Sequence, residues 1–294
     1  MQDSPLVTVI CSCYNHQKFV CESIQSVLDQ TYKNIQLIVV DDYSTDNSID
    51  VIEQYLKNLP EITFIKNTTN LGLTKSVTNA LNYAKGEFFI DLAADDRLAP
   101  NCIELQLNSF KNSSYKKLAI VYGNAELITE DGSHSAYYFE VNLDLKTKNK
   151  IPSGDIYRNI IDINTTICSV SAMYNKTIFD RLNGYDTSLS YEDLDYWIRV
   201  SRNYNIEFID EILVQKRTLT NSLQSTLYTK HNRNSSSSYK ILKKAYQLNK
   251  NKEEHKALST RVNFEILNSY RTENYLLMLK TMFLRLQIGL KTIY

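Results

Sequence analysis

"VTVICSCYNHQKFVCESIQSVLDQTYKNIQLIVVDDYSTDNS", residues 7–48, changes its hydrophobic period twice. Leu6–Cys11 is a continuous apolar run of strand length, the pattern of a strand covered on both faces. From Lys18 to Asp29 the spacing turns helical, with Val20, Ile24, Val27 and Leu28 on one face. Ile35–Val40 is again a buried strand. Strand, helix and strand in this order predict a parallel βαβ unit.

The alternation continues outward. Asp46 and Asn47 start a helix that runs to about Asn58, with Ile49, Val51, Ile52 and Tyr55 apolar. Ile62–Ile65 is a third strand and Thr74–Ala84 a third helix, stopped by Gly86. Glu87–Asp91 is a fourth strand, Pro100 opens a helix through about Phe110, and Lys117–Tyr122 is a fifth strand. Such alternation implies a mostly parallel sheet with helices on both faces. Beyond residue 123 the pattern loosens. Residues 125–151 read as irregular strands and loop, and Cys168–Tyr174 as strand-like. Glu192–Asn203 is a helix carrying the only tryptophan, Trp197, and Ile206–Ile209 and Ile212–Lys216 are two short strands. Residues 218–238, rich in Thr, Ser and Asn, read as a flexible loop or linker, and 239–294 as a basic helical extension.

Composition narrows the function classes. The 294 residues carry 33 Lys/Arg and 33 Asp/Glu, so nothing global argues for nucleic acid. The charge is split: residues 239–294 hold 11 Lys/Arg and 4 Asp/Glu, a net of +7, which leaves −7 for residues 1–238. The five cysteines (Cys11, Cys13, Cys21, Cys102, Cys168) have no zinc-site spacing and read as buried free thiols in a reducing cytoplasm. The four histidines show no ligand spacing and read as surface or loop residues. The polar start Met-Gln-Asp-Ser-Pro has no signal-peptide pattern, and no apolar run reaches the ~18 residues of a membrane span.

In an open parallel sheet, ligands bind beyond the carboxyl ends of the strands. Ser12-Cys13-Tyr14-Asn15, Asp41-Asp42-Tyr43-Ser44, Asn67–Asn70 with Gly72, and Asp91–Asp96 therefore converge on one edge. No glycine-rich phosphate cradle follows the first strand. A hard divalent cation, Mn²⁺ or Mg²⁺, held by Asp95 and Asp96 is an alternative way to bind phosphates. Asp41 reads as a turn or helix cap, and Asp91 as a hydrogen-bonded strand carboxylate.

Three ordered stretches resemble the inverting glycosyltransferase family 2, of the GT-A fold: residues 7–48, "NLGLTKSVTNALNYAKGEFFIDLAADD" (70–96) and "GYDTSLSYEDLDYWIRV" (184–200). The resemblance covers roughly residues 5–217. It implies a GT-A catalytic domain over 1–217, with a Rossmann-like nucleotide-sugar-binding half (5–122), an acceptor-binding half (123–217) and a mixed central sheet. By position it implies that Ser12, Tyr14 and Asp42 hold the nucleotide base and ribose, and that Asp95 contacts ribose or donor sugar. Asp96 would bind the divalent metal, and Arg217 would help hold the diphosphate. Lys75, one turn into the third helix, reads either as a phosphate contact or as a surface lysine. Ala93 stands where the family often has a first metal-side Asp, and Leu219 where a companion His is common.

In "YEDLDYW" the family's general base falls on Asp193, with Glu192 the nearest rival and Asp195 a solvated helix residue. Tyr196 and Trp197 lie three and four residues on, which places them on the face of Asp193, where an aromatic stacks on a sugar ring or packs in the core. Glu192 and Trp197 are accordingly the expected acceptor contacts. The implied activity is metal-dependent inverting transfer of a sugar from a nucleotide-diphosphate donor, UDP-linked by expectation. The acceptor would be a glycan or lipid-linked glycan, in the setting of bacterial surface polysaccharide. The rival is a non-catalytic nucleotide-sugar-binding or scaffold subunit of the same fold. Segment 274–294 carries Lys280, Arg285 and Lys291 and no acid. That composition fits an anionic membrane surface at the inner face of the cell membrane, and also packing on the catalytic domain or on a homodimer partner.

Overall fold

The computed structural model describes residues 4–163, 167–219 and 235–293. In chain order the first elements are β1 (Val7–Cys13), α1 (Val20–Leu28), β2 (Ile35–Asp41), α2 (Ser48–Leu56), β3 (Thr63–Lys66), α3 (Leu73–Leu81) and β4 (Phe88–Ala93). There follow β5 (Arg97–Leu98), α4 (Cys102–Asn112), β6 (Leu118–Ile128), β7 (His134–Tyr137) and α5 (Tyr157–Ile161). The remainder is β8 (Met173–Asn175), α6 (Lys176–Arg181), α7 (Glu192–Ser201), β9 (Asn205–Arg217), α8 (Ser235–Leu248), α9 (Lys252–Arg271) and α10 (Tyr275–Ile293).

One sheet has the order β3-β2-β1-β4-β8-β6-β9-β5, with β7 on β6. The pairs β1–β2, β1–β4 and β2–β3 are parallel, and β8 runs antiparallel to both β4 and β6. The sheet is thus mixed, as a GT-A fold requires. All seven residues of β1 are buried, as a central strand covered on both faces demands. Gly86 enters β4 where an added Cβ would lie 2.6 Å from the Thr8 nitrogen and the Phe88 oxygen, so no other residue fits there.

The chain forms two compact units. The first comprises 1–154, 168–184 and 205–218 and contains the whole sheet. The second comprises 155–167, 185–204 and 219–294. Within the second, Arg202 lies over the Tyr157 ring (3.9 Å) and bonds Glu254 (2.9 Å), while Arg261 donates to the carbonyls of Ile160 and Asp162.

Two expectations need correction. The two short strands at 206–209 and 212–216 are one strand, β9, whose pairing with β6 shifts register on the way. Its acidic break, Asp210-Glu211, is absorbed: Asp210 accepts from the Thr147 N–H and Glu211 from Lys146. Residues 168–174 hold a short 3₁₀ turn, Ser169–Ser171, before the brief β8. The loop expected over 218–238 lies mostly outside the described residues, and α8 already starts at Ser235. The thiols are free, four of them buried, and burial pushes those of Cys11 and Cys13 up to about 12.

Candidate active site

The loops after β1 and β2 are tied together. Asn15 has a left-handed backbone (φ 60°), which asparagine tolerates, and its Oδ1 accepts from the Thr45 N–H at 2.7 Å. The Asn15 N–H in turn donates to Ser44 Oγ. Asp41 accepts from the N–H and hydroxyl of Ser44 and closes the turn, as its sequence position suggests. Ser48 Oγ accepts from the His16 N–H and itself donates to Asp46. These bonds present Tyr14 (44% exposed) and Tyr43 (50% exposed) at the strand ends. Ser12 is buried at the end of β1, its hydroxyl 3.5 Å from the Leu92 carbonyl.

Asp42 is buried and already holds a loop. Its Oδ1 accepts from Asn67 Nδ2 (2.9 Å) and the Leu71 N–H (2.8 Å), and its Oδ2 from the Gly72 N–H (2.8 Å). A carboxylate has about four lone-pair sites, so one is left for a ligand. The same bonds fix the start of α3, where Gly72 adopts φ 84°. Lys75 is exposed one turn further on.

The stretch 90–96 separates its three acids. Asp91 is a half-buried residue of β4. Asp95 is half-buried, with its Oδ1 4.0 Å from His16 Nε2. Asp96 is buried and accepts from the Arg217 N–H at 2.8 Å. Burial and the neighbouring Asp95 push its carboxyl up to about 7, while Lys216 and Arg217 pull the other way. A buried carboxyl raised by a second carboxylate is one that a hard cation would discharge, so the residues suit a divalent metal. Among the described residues no group of three or more His, Cys, Asp or Glu is placed to hold one. With alanine at 93, Asp96 would be the protein's own ligand to such a cation, and phosphate oxygens and water would complete the shell.

Arg217 is not where a diphosphate contact was expected. Its side chain is buried and donates to Glu22, to the Asp95 carbonyl and to the carbonyls of Thr129 and Glu130, with the guanidinium 4.4 Å from the Phe19 ring. Four of its five N–H groups are so engaged. Arg217 braces the Asp95–Asp96 turn from behind rather than offering a free cation. Asn15 and Asn67, both in the strand-end stretches that the sequence singles out, act here by tying the loops to one another and to Asp42. His16, expected on the surface or in a loop, lies half-buried in the loop after β1, and its Nδ1 has no hydrogen-bond partner among the described residues.

Asp193 belongs to the second unit, at the start of α7. Three acids in the first turn of α7 complement the positive end of its dipole. Asp193 Oδ1 accepts from the Leu194 N–H at 2.6 Å, and the residue lines a cavity of about 200 Å³ with Tyr191, Arg261, Phe264, Glu265 and Asn268. Burial raises the Glu265 carboxyl above the ordinary range, and Arg261 opposes the rise. Glu192 is half-buried beside it. Trp197 is 7% exposed and packs into the unit's core, so it presents no open platform for a sugar ring. Asp195, expected in solvent, is buried. It is held by Arg199 Nε and by Lys244 Nζ of α8, both at 2.7 Å. Lys244 also bonds Asp186 (2.7 Å), and Ser237 Oγ accepts from the Ser190 N–H (3.0 Å), so α8 grips the segment before Asp193 at two points.

Known proteins agree with this architecture. The family model "Glycosyl transferase family 2" matches residues 8–182, more than half of the chain. An uncharacterized glycosyltransferase of Haemophilus influenzae is 29% identical over 85% of this chain and 76% of its own length. One from Rickettsia typhi is 32% identical over 73% of this chain and 64% of its own. Among solved structures, S. aureus TarS 1–349 in complex with UDP-GlcNAc superposes with a TM-score of 0.73 at 17% identity, covering 96% of this chain and 81% of TarS 1–349. The mannosyltransferase PcManGT from Pyrobaculum calidifontis, in complex with GDP-Man and Mn²⁺, gives 0.62 at 16% identity, covering 92% and 73%.

Proposed function

The chain belongs to glycosyl transferase family 2 and is a glycosyltransferase of GT-A fold, and from that premise we propose that it transfers a sugar with inversion from a UDP-linked donor to a hydroxyl of a glycan or lipid-linked glycan. The observation that carries the reading is the convergence of the loops after β1, β2 and β4 on one sheet edge, with Asp95 and Asp96 in the loop after β4. In this reading Tyr14 stacks on the base and Ser12 and Asp42 line the base and ribose pocket. A carboxylate that accepts from a base N–H or a ribose hydroxyl forms a charge-assisted bond. Asp95 meets ribose or donor sugar, and Lys75 reaches toward the phosphates from the first turn of α3.

A divalent cation at Asp96, Mn²⁺ or Mg²⁺, would neutralise charge that builds on the departing diphosphate. Arg217 acts through position: its bonds to Glu22, Asp95, Thr129 and Glu130 hold the acidic turn in place. Asp193 is the general base. It takes the proton of the acceptor hydroxyl as that oxygen attacks the anomeric carbon on the face opposite the nucleotide. The bond from anomeric carbon to diphosphate oxygen breaks, and the nucleoside diphosphate leaves with the electron pair. The cavity beside Asp193, with Tyr191 and Phe264 as apolar walls and Asn268 as a hydrogen-bonding group, supports an acceptor role for this part of the second unit. The setting that fits is assembly of surface polysaccharide.

The test is a panel of UDP-, dTDP-, GDP- and CMP-sugars, each with and without Mn²⁺, read by thermal shift and by release of the nucleotide. The reading expects a metal-dependent shift and slow donor hydrolysis with a UDP-sugar. Binding without release on any acceptor would instead make the chain a non-catalytic nucleotide-sugar-binding subunit. No response to any of the four classes would overturn the donor assignment.

A further inference from the structure

Helix α10 has two apolar faces. Leu277, Thr281, Leu284 and Ile288 recur at helical spacing and are buried, the face on which α10 packs within the second unit. A second row, Leu276, Leu279, Phe283, Leu286 and Leu290, recurs with the same period on the opposite side. Each of these five side chains is between 58% and 68% exposed. At about 100° per residue the two rows are centred roughly 150° apart. A surface helix normally turns polar residues to water on the side away from the core, so this row is the anomaly.

Charge says what covers it. Lys280 and Lys291 are exposed and border the row on one side, while Arg285, which donates to Asn263, lies nearer the buried face. No acid occurs in 274–294. No helix among the described residues is long and apolar enough to cross a membrane. A second copy of the chain docked on this face through a two-fold axis would bring like charges together with no acid to offset them. A lipid surface with anionic headgroups takes the apolar row among its acyl chains and the bordering cations at its phosphates, with the lysine stems extended toward the interface.

We propose that the exposed face of α10 seats the protein in the interface of an anionic membrane, parallel to its plane. This does not rest on the transferase chemistry, and its failure would leave that reading intact. The full chain is floated with phosphatidylcholine vesicles and with vesicles containing about one third phosphatidylglycerol. The protein is expected to float with the anionic vesicles, and more weakly as salt is raised. The triple variant Leu279→Gln, Phe283→Gln, Leu286→Gln should bind at least about a hundredfold more weakly, because three large apolar side chains no longer enter the acyl region. The double variant Lys280→Gln, Lys291→Gln should bind anionic vesicles roughly 25-fold more weakly and neutral vesicles unchanged. All five positions are exposed, so wild-type melting temperatures are expected. Should the triple variant fail to fold, the double variant still reads the charge-dependent part. Wild-type protein that stays unbound on anionic vesicles overturns the proposal. So does a solution dimer that only the triple variant dissociates, since the face would then be a subunit interface.

Discussion

Replacing Asp42 by asparagine removes the charge and one acceptor from a buried carboxylate that three donors share. If the new carbonyl oxygen keeps Asn67 Nδ2 and the Leu71 N–H, the new amide must face the Gly72 N–H, donor against donor. One charge-assisted hydrogen bond is lost, about 1.5–3 kcal/mol, and the other two weaken. Water can reach the N–H of exposed Gly72, which removes part of the penalty for an orphaned donor. A net loss of about 2–3 kcal/mol corresponds to a fall in melting temperature of roughly 4–10 °C in a chain of this size. The assay is differential scanning calorimetry without nucleotide, paired with calorimetric titration of UDP. Both the melting temperature and the UDP affinity should drop, because the loop at 67–72 that Asp42 holds precedes α3. A variant that melts within about 1 °C of wild type yet loses UDP affinity would refute the loop-holding role. Asp42 would then act through the ligand alone.

Further outcomes follow from the same geometry. Lys244→Met leaves the buried Asp195 with Arg199 alone. Breaking one arm of such a pair costs several kcal/mol when fully buried, but Lys244 is one-third exposed and Arg199 stays, so about 1–2 kcal/mol is expected, with transfer slowed and UDP affinity unchanged. Burial works against ionisation of Asp186, yet the hydrogen bonds from Lys244 and Ser188 prevail and hold its carboxyl down at about 2. A depressed carboxyl contributes stability that is full above about 4 and is lost as pH falls through about 2, so Lys244→Met should shift acid unfolding to higher pH. Arg217→Met strands the carbonyls of Asp95, Thr129 and Glu130 and should lower both melting temperature and donor affinity. Arg217→Lys should rescue little, since an ammonium cannot span four acceptors. Chelation of divalent metal should weaken UDP binding about tenfold or more in the wild type and leave Asp96→Ala unchanged, as measured by titration with and without EDTA.

The half of the fold that carries β1 to β4 was legible because its signal is local. The apolar runs of β1, β2 and β4 and the helical spacing of α1 declare themselves within a few residues, and the strand-end rule then places Ser12, Asp42 and Asp96 together. What stayed hidden depends on partners far along the chain. Asp195 looked solvated on a polar helix face, because Lys244 lies forty-nine residues on. Its Arg199 partner, at the i,i+4 spacing, was the readable hint. Arg217 looked like a free cation because nothing in its neighbourhood names Glu22, 195 positions earlier. The pair Asp210-Glu211 separated two apparent strands because the groups that satisfy it, the Thr147 N–H and Lys146, come from more than sixty residues earlier. The exposed row of α10 is written in the sequence, but which of its two apolar rows faces the core is a fact of packing.

The central claim is that Asp193 removes the acceptor proton. Its most direct measurement is single-turnover sugar transfer by Asp193→Asn, with a UDP-sugar and an acceptor that the wild-type protein uses. The substitution keeps the size of the side chain and one acceptor oxygen for the Leu194 N–H, and it removes the basicity. The account predicts a loss of about 10²–10⁴ in rate, with UDP affinity and melting temperature as in the wild type. Transfer at a near wild-type rate would contradict it.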